Sequence, residues 1–362
     1  MYDKMISINE AAKLLNKSTE TLRRWDNSGK FKCKIRNKIN NYREYSEADV
    51  LNLVNELQLE IEYTPKSTLD MNDTTYNLPF HKSKFGKLYK MDAIDFLKQQ
   101  KSNSVDLIFA DPPYNIKKAS WDSFSSQDEY IKWSLKWVKE AHRVLKDTGS
   151  IYICGFSEIL ADVKSAVNPL FASCKWLIWF YRNKANLGKD WGRSHESILH
   201  FRKSKSHIFN IDQIRIPYND HTTKYPKRSQ AQSSQYSNGN GKAYTWEPNP
   251  LGAKPKDVLE IPTISNGAWE KYPHETQKPV ELLKKIILSS SNSDSIILDP
   301  FGGSGTTFAV AEAFRRKWIG CELELKYCEI IRDRLNDSQH LSRIKTGKDE
   351  SDSQKRRKIL RG

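Results

Sequence analysis

Two short stretches of this 362-residue chain combine residue types that can do chemistry. The first is Asp111-Pro112-Pro113-Tyr114, which follows the apolar run Val105 to Ala110. That run has the length and β-branched content of a buried strand. Two prolines straight after it cannot donate backbone hydrogen bonds, so the sheet must stop there. The residue before a proline is also pushed out of the helical region. The result is a stiff turn that holds one carboxylate, a few carbonyls and one aromatic ring beyond the strand end. Such a turn suits a planar ring carrying an amino group. The carboxylate accepts one N–H, a carbonyl accepts the other, and Tyr114 stacks on the ring. Four residues alone would equally describe an ordinary Pro-Pro loop with a surface tyrosine.

The second stretch, Asp299-Pro300-Phe301-Gly302-Gly303-Ser304-Gly305-Thr306-Thr307, reads as a strand end, a glycine-rich turn and a helix start. Glycines let a ligand approach the backbone where a Cβ would clash. Glu322 lies 23 residues beyond Asp299, at the end of the next expected strand, where an acid in such folds holds ribose hydroxyls. No lysine follows the glycines, so a triphosphate grip is missing. The turn also departs from the dinucleotide fingerprint. An adenosine cofactor without a pyrophosphate, such as S-adenosyl-L-methionine, fits this pattern.

The elements that must position these stretches alternate between strand and helix from Phe85 onward, which predicts an α/β sheet. Strands are expected at Lys87–Lys90, Val105–Ala110, Gly149–Cys154, Ser295–Leu298 and Trp318–Cys321. Trp176–Tyr181 and Ser197–Phe201 suggest a hairpin. Helices are expected over Ala93–Gln100, Asp122–Leu145, Glu158–Asn168, His274–Ser290 and Phe308–Arg315. Residues 204–264, polar and aromatic with Asn238-Gly239-Asn240-Gly241, interrupt the rhythm and form an insert. Residues 61–84 read as a linker, and 337–362, with Lys355-Arg356-Arg357-Lys358, as a basic mobile tail.

Residues 1–60 read as a separate module. Ser7 and Glu10 form a capping box, Ser18 caps a second helix ending at Gly29, and Ser46 caps a third. Lys30 to Tyr45 is a basic, hairpin-like stretch. Over the whole chain, 59 Lys+Arg against 44 Asp+Glu leave a net charge of +15, which favours a polyanionic partner. No run of about 18 apolar residues exists to span a membrane. The five cysteines are odd in number and lack metal-ligand spacing, so they read as reduced thiols in the cytoplasm, with no metal site.

Taken together, Asp111–Tyr114 and Asp299–Thr307 resemble the amino-methyltransferases of DNA. The catalytic stretch precedes the cofactor stretch, as in the circularly permuted class called beta. His274-Glu-Thr-Gln-Lys-Pro279 and Ser194–Lys203 resemble further segments of that class. The resemblance implies a Rossmann-like, doubly wound methyltransferase domain over 85–336, with S-adenosyl-L-methionine as methyl donor. It implies catalysis by Asp111, Pro112, Pro113 and Tyr114. It also implies a cofactor site of Asp92, Ala93, Asp111, Thr276, Gln277, Lys278, Asp299, Pro300, Phe301, Gly302, Gly303, Ser304, Gly305, Thr306 and Glu322. His195 and Glu196 read as strand-end structure, because the transfer needs no strong base. An Asp in the first position accompanies N6-adenine in that family and a Ser accompanies N4-cytosine, so adenine is favoured and cytosine stays open. An RNA methyltransferase and a cofactor-sensing transcription regulator are the other readings. Residues 204–264 are the expected target-recognition insert. Residues 1–60 resemble a winged helix-turn-helix of the MerR/excisionase type, with Arg23, Arg24, Lys32, Lys34, Arg36 and Arg43 as DNA contacts. Double-stranded DNA is the implied partner, with a cognate restriction endonuclease and a homodimer as further expectations.

Overall fold

A computed structural model describes residues 5–15, 18–29, 31–36, 43–56, 78–115, 124–182, 189, 191–230 and 244–346. The chain divides into two compact units, Met1–Thr75 and Tyr76–Gly362. Among the described residues no helix is long and apolar enough to cross a membrane.

The first unit runs β1 (Met5–Ser7), α1 (Ile8–Leu14), α2 (Thr19–Ser28), β2 (Ile35–Arg36), β3 (Arg43–Ser46) and α3 (Glu47–Glu56). Ser7 and Glu10 make the expected reciprocal cap, and Ser18 accepts from the Thr21 N–H to start α2. Gly29 ends α2 at φ 78°, where a side chain would be strained. The strands pair antiparallel in the order β1-β3-β2. Ile6, Ala11, Leu15, Leu22, Tyr45 and Val50 bury together as a small core, with Phe31 stacked on Tyr45. The expected turn at Asn16-Lys17 lies outside the described residues.

One expected DNA contact is overturned here. Arg43 is 2% exposed, and its Nε donates to Asp26 Oδ2 at 2.7 Å, while its guanidinium also reaches Asn27. It pins β3 to the end of α2 and presents no charge outward. Arg23, Arg24, Lys32, Lys34 and Arg36 are exposed; Lys34 pairs with Asp49 at 3.0 Å, and Arg36 lies 3.8 Å from Asp26.

The second unit begins with β4 (His81–Lys82) and β5 (Gly86–Lys90), so part of the expected linker belongs to the sheet. There follow α4 (Ala93–Gln99), β6 (Val105–Ala110), α5 (Gln127–Val144), β7 (Leu145–Gly155), α6 (Ser157–Val167), β8 (Ser173–Phe180) and β9 (His195–Arg202). The insert holds α7 (Asp220–Lys224) and a two-stranded ribbon, β10 (Arg228–Gln230) with β11 (Tyr244–Trp246). Its end, β12 (Val258–Glu260), pairs parallel with β8 and so belongs to the main sheet. Asn238–Gly241 lie outside the described residues. The chain continues with α8 (Val280–Ser290), β13 (Ile296–Asp299), α9 (Thr306–Ala313), β14 (Lys317–Glu322), α10 (Leu325–Asn336) and α11 (Ser338–Thr346).

These strands make a nine-stranded sheet in the order β12-β8-β9-β7-β6-β13-β14-β5-β4. From β5 through β14, β13 and β6 to β7 every pairing is parallel, whereas β9 runs antiparallel to β7 and β8. Each face carries its own apolar layer. Leu107, Phe109, Ile297, Phe308 and Val310 lie in one, and Ile108, Trp137, Val138, Ile151 and Leu298 in the other. α9 is buried almost all round, which suits a helix enclosed between a sheet and other helices. α11 is part of that enclosure. The expected mobile tail therefore starts too early, because His340 and Ile344 are buried on a packed helix. Lys355–Lys358 lie outside the described residues.

Removing one partner of a buried ion pair costs roughly 3–5 kcal/mol, more than a small unit can absorb. Arg43→Ala is therefore expected to open the first unit. Hydrogen exchange of the full chain should show amides of α1–α3 losing protection while those of β13 and α8 keep theirs.

Candidate active site

Four neighbouring parallel strands finish on one edge of the sheet, and each delivers a carboxylate there. Asp92 follows β5, Asp111 follows β6, Asp299 ends β13 and Glu322 ends β14. Ligands bind at such carboxyl ends in open α/β sheets. Antiparallel β9 starts where β7 stops, with Ser197 opposite Gly155, so Glu196 arrives at the same edge from the opposite chain direction.

A cavity of about 260 Å³ opens at this edge. Asp92, Ala93, Asp111, Pro112, Pro113, Tyr114, Thr276, Pro300, Phe301, Gly303 and Glu322 of the expected site line it. Gln277, Lys278, Asp299, Gly302, Ser304 and Thr306 line instead a small void of about 20 Å³ behind it, and Gly305 lines neither. Met91, Phe124, Trp133, Leu323, Glu324 and Tyr327 also line the cavity although none is among the expected site residues, as does His274 from the His274–Pro279 segment. The Trp133 ring centroid lies 5.9 Å from that of Phe301.

The residues behind the cavity build its wall. Asp299 is buried and accepts from the Phe301 N–H at 2.9 Å and from the Thr307 hydroxyl at 2.6 Å. Burial pushes its carboxyl well above the usual carboxylate range. Glu322 Oε2 accepts from the Gly303 N–H at 2.7 Å, and burial raises this carboxyl too. Gly303 sits at φ 53°, and a Cβ there would lie 3.2 Å from His274 Nε2. Gly305, at φ 74°, takes the position that opens α9. Arg334, fully buried, donates to the Ser304 carbonyl at 3.0 Å and the Thr306 hydroxyl at 2.9 Å. The Gln277 side chain bonds the Tyr272 N–H and the Glu270 carbonyl, which holds the segment before α8 in place.

At the base of the cavity Asp111 is gripped on both oxygens. Oδ1 accepts from the Tyr114 hydroxyl at 2.6 Å, and Oδ2 accepts from Lys278 Nζ at 2.6 Å. Both donors also approach Glu196 Oε2, at 3.2 Å from Tyr114 and 3.5 Å from Lys278. Burial alone would lower the Lys278 ammonium, but the Asp111 and Glu196 carboxylates outweigh it and hold it above the ordinary lysine range. Burial and the same two carboxylates raise the Tyr114 hydroxyl, so it stays protonated and donates. The Tyr114 ring is buried edge-on against Phe156. Tyr114 also lines the cavity. The Pro113 carbonyl accepts from the Tyr130 hydroxyl at 2.7 Å. His195 contacts Ser157 and stands apart from this cluster, whereas Glu196 belongs to it. A strand-start carboxylate carries no local signal of that role, because only the antiparallel pairing brings it here.

The donor set tests which cofactor fits. Among the described residues lining the cavity there is no lysine or arginine, whereas Asp92, Asp111, Glu322 and Glu324 carry carboxyl groups. That lining repels a polyphosphate and suits a cationic sulfonium. Met91, Phe124, Trp133, Pro300 and Phe301 offer an apolar slot for a purine, and Asp92 and Glu322 offer acceptors for hydroxyls. S-adenosyl-L-methionine fits.

Residues 105–333 match the family model described as DNA methylase. The chain belongs to that family. Residues 6–58 of the methylase match a second model, MerR HTH family regulatory protein. The methylase is 35% identical over 253 residues to Type II methyltransferase M1.MboII of Moraxella bovis, covering 67% of this chain and 93% of that protein. It is 36% identical over 256 residues to DNA adenine methyltransferase YhdJ of Escherichia coli K12, covering 69% and 83%. In fold it is similar to the PvuII DNA methyltransferase (cytosine-N4-specific), with a TM-score of 0.54 at 20% identity, covering 75% of this chain and 96% of that one. The methyl donor is S-adenosyl-L-methionine.

Burial holds three histidines neutral: His274 and His340 are pushed down to about 4, and His200, stacked on Tyr152, to about 3. In the unfolded chain each takes up a proton near pH 6.5. Their contribution is thus complete above about pH 6.5 and is lost as the pH falls towards about 4. Thermal midpoints should drop between about pH 7 and pH 5, and His200→Phe should flatten that slope. An unchanged slope in the variant would remove His200 from the account.

Proposed function

We propose that the methylase modifies the N6 amino group of adenine in duplex DNA, at one short recognition sequence. The observation that carries this reading is the Asp111 carboxylate at the base of the cavity, beside Tyr114 and ahead of the apolar slot. The exocyclic amine of a base is a poor nucleophile, because its lone pair is delocalised into the ring. Asp111 accepting one N–H, with the Pro112 carbonyl accepting the other, draws that nitrogen towards tetrahedral geometry. The carboxylate also stabilises the positive charge that develops there. Holding the amine in line contributes much of the rate. When bound, S-adenosyl-L-methionine supplies an electrophilic methyl group. Asp92, Ala93, Thr276, Phe301, Gly303 and Glu322 are the residues that would hold it. The amine is out of reach inside a duplex, so the base must flip out, at a cost of a few kcal/mol.

Asp111 in the first position and the similarity to an adenine methyltransferase support adenine. Cytosine N4 is the second reading, favoured by the likeness in fold to a cytosine-N4 enzyme. The order of the two stretches supports the permuted beta class. Similarity to type II methyltransferases supports a role in restriction-modification, in the cytoplasm, with a cognate endonuclease and a homodimer as partners. The exposed Arg23, Arg24 and Lys32 of the first unit, and the insert after β9, are the proposed additional DNA contacts.

Genomic DNA from cells expressing the protein, sequenced with base-modification detection, should carry N6-methyladenine at one motif. Asp111→Ala should abolish that mark while the purified variant still binds S-adenosyl-L-methionine. N4-methylcytosine in its place would overturn the choice of base. Strong residual methylation by Asp111→Ala would overturn the site.

A further inference from the structure

Asp111 must accept a hydrogen bond from the target amine while each of its oxygens already accepts one from a buried donor, Tyr114 and Lys278, so a further donor competes with these two for the same carboxylate charge. A buried donor released with no other acceptor loses its hydrogen bond without regaining water. For the Lys278 ammonium that loss is larger still, because a charge is left unpaired. The two donors nevertheless share one further acceptor within reach, and Lys278 Nζ also lies 3.5 Å from the Thr276 carbonyl, which carries no charge to match the ammonium. Glu196 Oε2 lies 3.2 Å from the Tyr114 hydroxyl and 3.5 Å from Lys278 Nζ. Both contacts are longer than the corresponding ones to Asp111, so the donors favour Asp111 while it has no other partner.

We propose that Glu196 is a positioning residue, the alternate acceptor onto which Tyr114 and Lys278 shift when the target amine engages Asp111. Glu196 does not line the cavity, so it acts through these two donors and not on the base itself. The shift breaks no covalent bond and moves no net charge out of the cluster. It only exchanges which carboxylate receives each N–H and O–H. Antiparallel β9 supplies the rigid strand start that this requires, with Glu196 held opposite Trp179. The proposal rests on the reading that Asp111 receives the amine.

The test is single-turnover transfer of labelled methyl from S-adenosyl-L-methionine to unmethylated duplex DNA, with both at saturation. The proteins are wild type, Asp111→Ala, Glu196→Gln, Tyr114→Phe and the double variant Glu196→Gln/Tyr114→Phe. Glutamine keeps the size of Glu196 but not its charge, so Lys278 stays on Asp111. Glu196→Gln should lower the single-turnover rate roughly tenfold or more, with KM for cofactor and DNA changed by less than about twofold. The double variant should lose less than the product of the two single losses, because Tyr114 is one of the donors through which Glu196 acts. A rate within about twofold of wild type, a loss confined to KM, or a fully multiplicative double variant would overturn the proposal. If Glu196→Gln does not fold, Glu196→Asp, which keeps the charge but withdraws it, decides by the same split. A wild-type rate in that variant overturns the proposal. Retained transfer by Asp111→Ala would instead bring down the reading of Asp111.

Discussion

Crowding of like charge at one sheet edge is the constraint on which the rest of this structure depends. Parallel strands all end on the same side, so every carboxylate that follows a strand meets its neighbours there. Crowding and burial there favour the protonated form, and burial pushes the Asp299 and Glu322 carboxyls up. The fold manages them individually. Asp299 and Glu322 are held by backbone N–H groups and a hydroxyl, and serve as anchors of the glycine turn. Asp111 and Glu196 share one buried ammonium from Lys278. Asp92 caps α4 and stays exposed. One set of residue types thus does three jobs, separated by burial and partners.

This division also explains why the site residues fall into two shells. The inner wall touches the cavity, and the outer set fixes the wall. Arg334 shows how far the outer set extends, since it donates from α10 to the Ser304 carbonyl and, through Nε, to His340 Nε2 on α11. A segment that looks like a polar tail is therefore part of the mould around the glycine turn. The two units solve a similar problem in different ways. In the first, Arg43 and Asp26 lock strand to helix.

Local chemistry explains most of what was legible in advance. Apolar runs predicted β6, β7, β13 and β14, because a buried parallel strand needs little beyond apolar and β-branched residues. Prolines at 112 and 113 and the glycines after Asp299 marked where strands stop, since their backbone limits hold in any context. Less legible were β4, β12 and α11. These elements are short or polar, and their identity comes from pairing and packing against distant segments.

By itself the sequence determined the α/β class and where the two stretches lie at strand ends, because these follow from residue type and short-range spacing. Only the tertiary structure decided which cations face outward and which are buried. Arg43 turned inward because a carboxylate from α2 meets it there. Lys278 likewise joined Asp111 in place of lining the cavity, and Glu196 entered the site from β9. The physical reason is common to all three. A charged side chain takes the partner that strand order and helix packing bring within reach, from 17 residues away for Arg43 to 167 for Lys278 and Asp111.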